Sequence, residues 1–233
     1  MDLGFNQRRH GMALRVKICG ITNLEQGQAI AKLGAAALGF MLVPSSPRYI
    51  SPAKISSIIP HLPADLVAIG VFADTDVAEI AQIVAETHLT AVQLHGQETP
   101  AYCQELRRQL PLIEIIKALR IRDSKDLAET AIYEPVVDTL LLDAYHPQLL
   151  GGTGHSIDWA ILKDFAPSRP WFLAGGLNPD NIMTALGEFP QDKQTQRSPH
   201  GIDLSSGVEI TPGDKDLNKV EQLFQYLRQN SYL

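Results

Sequence analysis

The sequence predicts a (βα)8 barrel, eight parallel strands each followed by a helix, and three observations carry that expectation. Short apolar, β-branched runs alternate with longer segments of helical period. Their starts fall roughly every 25 to 30 residues, about one βα unit with short loops. A chain of 233 residues in strict alternation favours a closed barrel over an open doubly wound sheet.

Taken in order, the strands are expected at Leu14–Ile18, Ala37–Leu42, Leu66–Phe72, Ala91–Leu94, Ile113–Ala118, Thr139–Leu142, Trp171–Ala174 and Gly201–Leu204, each an apolar run of strand length. Helices are expected between and after them, near Asn23–Leu33, Pro52–Ile59, Asp76–Glu86, Pro100–Gln109, Ser124–Thr130, Asp158–Phe165, Pro179–Leu186 and Asp214–Arg228. Ser51-Pro52, Thr99-Pro100 and Asn178-Pro179 each place a capping side chain before a proline suited to the first helical position. Gln191–Pro199 is polar and lacks apolar periodicity, so it is expected as a surface loop away from the chemistry. Residues 1–13 carry Arg8, Arg9 and His10 but no signal-peptide core, and are expected as a disordered extension before one domain spanning 14–233. Met12 is an alternative start.

Hydrophobic residues make up 45% and charged residues 20%, the composition of a soluble domain. A net charge of −6 argues against a nucleic-acid surface and leaves a small anion held by local donors as the expected partner. No run approaches a membrane span. Two cysteines, Cys19 and Cys103, build neither a disulfide framework nor a zinc site, so free thiols in a cytoplasmic setting are expected, with no metal. No large apolar helix face stands out, and a monomer is expected.

Strands of a parallel barrel are buried on both faces, so polar residues within them need a reason. Here they crowd at the C-terminal ends, where ligands bind in this fold. Lys17 and Cys19 lie two apart on one face of the first strand, and Gln93 and His95 repeat the arrangement on the fourth. Lys117, Asp143 and Asp203 are expected to complete the ring, with Asp203 as a partner for an interior lysine. Cys19 and Asp143 together suggest an acid–base pair. A thiol base must shed its proton and a carboxylic acid must keep it near neutral pH, against the habit of both groups. Lys17 is expected to favour the thiolate.

Gly175-Gly176 after the seventh strand and Ser205-Ser206-Gly207 after the eighth let backbone N–H groups approach an anion, with a helix behind each loop expected to help. That placement suits a phosphorylated substrate. Gly151-Gly152-Thr153-Gly154, after the sixth strand, is expected as a flexible lid.

Lys17-Ile18-Cys19-Gly20-Ile21-Thr22, Ser46-Pro47-Arg48, Val92-Gln93-Leu94-His95-Gly96, Leu142-Asp143, Gly151-Gly152-Thr153-Gly154, Gly175-Gly176-Leu177 and Ser205-Ser206-Gly207-Val208-Glu209 together resemble the phosphoribosylanthranilate isomerase family. The resemblance runs from about Leu14 to Leu227, with the motifs in the family's order. It implies a cofactor-independent Amadori rearrangement of N-(5-phosphoribosyl)anthranilate to 1-(2-carboxyphenylamino)-1-deoxyribulose 5-phosphate in tryptophan biosynthesis. It also implies Cys19 as general base, Asp143 as general acid, Arg48 as the grip on the anthranilate carboxylate, and His95 near the reacting centre. In the histidine-pathway isomerase, which performs the same rearrangement, a carboxylate is expected in place of Cys19. The lysine-rich strand ends expected of indole-3-glycerol-phosphate synthase are not matched.

Overall fold

Eight parallel strands pair in sequence order and close on themselves in the computed structural model, which describes residues 13–144, 159–190 and 196–233. The strands are β1 Arg15–Cys19, β2 Ala37–Met41, β3 Val67–Phe72, β4 Ala91–Leu94, β5 Glu114–Ile121, β6 Thr139–Ala144, β7 Trp171–Leu173 and β8 Gly201–Leu204. Closure comes from β1 against β8, with Arg15 opposite Gly201 and Ile18 opposite Leu204. The N-terminal extension as far as residue 12, the Gly151-Gly152-Thr153-Gly154 segment and the first half of the Gln191–Pro199 insertion lie outside the described residues.

The outer layer comprises α1 Leu24–Leu33, α2 Pro52–Ile58, α3 Val77–Thr87, α4 Pro100–Gln109, α5 Ser124–Glu129, α6 Ile182–Gly187 and α7 Leu217–Gln229. Ser51 and Thr99 cap as the sequence suggests, accepting from the N–H groups of Lys54 and Tyr102. Asn178 does not cap a helix. Its side-chain oxygen accepts from the N–H groups of Asp180 and Asn181, closing a tight turn, and α6 begins only at Ile182. The helix expected at Asp158–Phe165 is, over its described part, a single 3-10 turn at Trp159–Leu162. A hairpin that strand periodicity did not reveal follows β8: β9 Glu209–Thr211 and β10 Asp214–Lys215.

Strand parity sorts the buried residues into two layers. Ala37, Ile69, Ala91, Ile116, Ala118, Leu141, Phe172 and Ala174 fill the barrel interior. Val16, Ile18, Leu38, Phe40, Val92 and Leu142 face outward and pack with helix residues such as Ile30, Ile80, Leu106 and Leu223. At the N-terminal end of the barrel Arg15 grips Glu114 through two bonds of 3.0 Å, and Thr139 donates to the same carboxylate.

The same parity corrects the placement of Lys117. It alternates with the inward-facing Ile116 and Ala118, so it lies in the outer layer and not in the ring at the mouth. There its ammonium pairs with the buried Glu98 at 2.7 Å and donates to the carbonyl of Gly96 at 3.0 Å. Glu98 in turn accepts from the N–H groups of Asp74 and Gly96, tying the loops after β3 and β4 together. Burial disfavours the Glu98 charge, but Lys117 and these donors outweigh it and hold the carboxyl below its ordinary value.

Lys117→Met leaves Glu98 buried without its cation and is expected to destabilise the fold by about 3–5 kcal/mol near neutral pH. Because the folded Glu98 titrates below its unfolded value, its contribution is present above that value and fades as pH falls through the folded one. Urea unfolding should therefore show a wide gap between the two proteins near pH 7 and a narrower gap at about pH 3. Equal gaps at both would sink the assignment.

Candidate active site

The C-terminal ends of the strands surround a cavity of about 450 Å³. Cys19 from β1, His95 just after β4, Asp143 from β6, Asp203 from β8, Gln93 from β4 and Arg48 from the loop after β2 all line it. So do Gly175, Gly176, Ser205, Ser206 and Gly207. The thiol and the carboxyl therefore face one mouth, which also carries an apolar wall of Met41, Val43, Val71 and Pro212.

Lys17 sits beneath that mouth. It is fully buried and contacts Gln93 Oε1 at 2.8 Å, Asp203 Oδ1 at 2.9 Å and the Cys19 thiol. Its ammonium thus hydrogen-bonds the Gln93 amide oxygen and forms an ion pair with Asp203, with the thiol beside it. Lys17 does not line the cavity and stands behind Cys19 and Gln93, which do. Burial opposes its charge, yet Asp203 and Cys19 outweigh burial and hold Lys17 above the ordinary lysine value. Asp203 is the lysine's partner, as expected.

Cys19 fits because β2 offers it a glycine. A Cβ at Gly39, its register partner, would lie 2.6 Å from the sulfur. Burial pushes the Cys19 thiol above its ordinary value, and Asp203 adds to that. Lys17 and Lys215 pull it down without overcoming burial. The expected help from Lys17 is thus present, but in the free protein it is outweighed.

On the opposite wall His95 Nε2 lies 3.3 Å from Asp143 Oδ2, close but not aligned as a hydrogen bond. His95 Nδ1 is 3.0 Å from the amide nitrogen of Gln93.

Sequence reasoning passed over the group behind Arg48. The guanidinium is held by Glu209, with Nε at 3.0 Å and Nη2 at 2.7 Å. Lys215 donates to the same carboxylate at 2.6 Å, as does the N–H of Gly213 at 3.1 Å. Burial disfavours the Glu209 charge, but Arg48 and Lys215 outweigh it and keep the carboxyl below its ordinary value. The signal available in the sequence was a glutamate, a glycine and a lysine spaced along a short polar hairpin that no apolar period explained.

The anion cradle also departs from expectation. Gly175 and Gly176 adopt φ of 88° and 66°, a left-handed pair suited to glycine, and Asn181 ties down the Gly176 carbonyl at 2.9 Å. A Cβ at Gly207 would fall 2.0 Å from the Leu177 carbonyl, so the two loops meet at that residue. No α-helix directly follows Ser205; Ser206–Val208 is one 3-10 turn. The N–H groups at the start of that turn and of the glycine pair are therefore the donors an anion could meet there, in place of two helix dipoles.

A closed barrel whose mouth is lined by glycine and serine loops, with a thiol and a carboxyl on its walls, defines the class of (βα)8 enzymes, whose mouths commonly suit phosphorylated small molecules. A family model described as N-(5'phosphoribosyl)anthranilate (PRA) isomerase matches residues 16–226. The N-(5'-phosphoribosyl)anthranilate isomerase of Nostoc punctiforme is 58% identical over 214 residues, covering 92% of this chain and 98% of that protein. The crystal structure of phosphoribosyl anthranilate isomerase from Thermus thermophilus superposes with a TM-score of 0.81 at 36% identity, over 93% of this chain and all of that one. A phosphoribosyl anthranilate isomerase solved with reduced 1-(o-carboxyphenylamino)-1-deoxyribulose 5-phosphate gives 0.78 at 32% identity, over 93% of this chain and 99% of that one. The chain belongs to the N-(5'-phosphoribosyl)anthranilate isomerase family.

Gly39→Ala is expected to crowd the thiol and to cost about 1–3 kcal/mol in stability, the usual range for overpacking. It should also change the rate at which a small alkylating reagent modifies Cys19. Unaltered unfolding and alkylation would show that the sulfur does not need this space.

Proposed function

We propose that this mouth isomerises N-(5-phosphoribosyl)anthranilate to 1-(2-carboxyphenylamino)-1-deoxyribulose 5-phosphate, the Amadori step of tryptophan biosynthesis, with Cys19 as base and Asp143 as acid. The observation that carries the residue roles is that both groups line one cavity that also holds the glycine and serine loops. The phosphate rests on the N–H groups around Gly175, Gly176, Ser206 and Gly207, which sets the sugar between the two walls. Asp143 gives its proton to the ribose ring oxygen, and the ring opens to a protonated imine. Cys19, as thiolate, removes the C2 proton, and the neutral enolamine tautomerises to the ketose; the thiol then gives a proton to solvent and the Asp143 carboxylate takes one up, which restores both groups.

Burial of Cys19 raises its basicity once ionised but lowers the thiolate population. Two ammonium groups, Lys17 and Lys215, limit that loss. The imine helps from the other side, because a C2–H beside an electron-poor carbon is more acidic than one beside an intact aldose ring.

Arg48 supports the reading in a particular way. Glu209 occupies Nε–H and one N–H of Nη2, leaving the outer N–H groups of Nη1 and Nη2 for the anthranilate carboxylate, so the clamp's direction is already set. Gln93, His95 and Asp203 line the mouth beside the reacting atoms. The lid role of Gly151, Gly152, Thr153 and Gly154 remains part of the proposal, over residues outside those described. The acidic net charge and the two unpaired cysteines support a small-molecule partner and a cytoplasmic setting. Among the described residues no helix is long and apolar enough to cross a membrane.

The assay is the fluorescence decay of freshly made phosphoribosylanthranilate with and without protein. Cys19→Ala and Asp143→Asn should each lower turnover by about two orders of magnitude or more, and Arg48→Ala should chiefly raise KM, as a ground-state clamp does. Turnover within tenfold of the parent in either of the first two would reassign that role.

The chain is also proposed to be a monomer. Exposed Leu112, Ile132 and Ile210 sit on separate segments, not along one helix face. Sedimentation should give the mass of one chain, and a two-chain mass would overturn this.

A further inference from the structure

We propose that Lys17 and Gln93 dictate which ring nitrogen of His95 carries the proton, making Gln93 a positioning residue for Asp143. The inference rests on the reading of Asp143 as the acid. It starts from a group with no choice. The Lys17 ammonium can only donate, so the Gln93 atom 2.8 Å from it must be the amide oxygen. The other end of the amide is then the NH2, which also can only donate, and it lies 3.0 Å from His95 Nδ1. Nδ1 must accept, so in the neutral ring the proton sits on Nε2.

Nε2 is the nitrogen facing Asp143 Oδ2, at 3.3 Å. The 3.3 Å approach is not aligned as a hydrogen bond in the free protein, but Nε2–H is the group nearest Oδ2, and a small turn of either side chain makes that oxygen an acceptor and steers the proton of the carboxylic acid to Oδ1. A reversed Gln93 amide would set NH2 against the ammonium at 2.8 Å inside the protein, and the other ring tautomer would set Nδ1–H against NH2. Lys17 and Gln93 are almost wholly buried and His95 is 7% exposed, so solvent does little to relieve either mismatch. Lys17 keeps the charge that starts the chain because Asp203 pairs with it at 2.9 Å. A fully buried lysine thereby orients an acid on the far wall through two neutral side chains, without touching substrate.

The test reads the ring directly. Protein with 15N-labelled histidine, its His95 signal assigned by loss in His95→Asn, is examined near neutral pH without substrate. The expected spectrum shows a protonated Nε2 and an unprotonated Nδ1. A proton on Nδ1, or an even mixture, overturns the proposal without any variant of Gln93. Gln93→Glu presents acceptors to both Lys17 and His95, and should draw a proton onto Nδ1. Turnover should then fall about 10–100-fold with KM within about threefold, a kcat effect expected of misaligned acid catalysis and not of lost binding. Gln93→Met, which cannot instruct the ring, should give mixed tautomers and an intermediate kcat. Protonation of Nδ1 in Gln93→Glu with an undiminished kcat would also overturn it. Because the ring is read without substrate, a wrong tautomer counts against this inference alone, whereas undiminished turnover in Asp143→Asn counts against the reading beneath it.

Discussion

Everything at the mouth depends on a single buried cation. Lys17 has lost its water and has three protein partners in exchange, Asp203, Gln93 and Cys19, one from each of three strands. An ammonium in an apolar barrel is tolerable only when each N–H is used and a counter-charge is adjacent. Those requirements place Asp203 and Gln93 beside it. They also put positive charge under the one thiol that lines the cavity. The wall carrying Cys19 and the wall carrying Gln93 and His95 are thus held by the same group.

A second cluster plays the corresponding part for the ligand. Glu209 gathers Arg48, Lys215 and the Gly213 N–H, fastening the β9–β10 hairpin over the end of β1. Thr22 and Gln26, at the start of α1, add hydrogen bonds to the same hairpin. The arginine is therefore held in a fixed direction, so an anion reaching it would meet a group that needs little further ordering. The two clusters meet at Cys19, where Lys17 and Lys215 both act on the thiol.

Both clusters also show why burial matters more than charge count. Two ammonium groups act on the thiol, yet desolvation still raises it. Glu209 and Glu98 show the reverse balance, since each has both a cation and backbone donors, and these overcome burial. The chemistry of each group follows from how completely its lost water is replaced.

The alternation of apolar runs and helical segments determined the barrel, because parallel strands buried on both faces leave that mark in any order of reading. Parity along β1 and β4 likewise determined that Lys17 shares a face with Cys19, and Gln93 with His95. Parity was also enough to misplace Lys117, whose inward or outward sense depends on how β5 is set in the closed sheet. Only the tertiary structure decided which partners surround Lys17, that Arg48 is held by a glutamate 161 residues away, and that a 3-10 turn stands where a helix was expected after β8. Asn178-Pro179 misled for a related reason: a side chain that can cap a helix can equally close a turn, and the loop it belongs to selects between them. Pattern along a chain records which side chains avoid water; which partners replace that water is settled by strands distant in sequence.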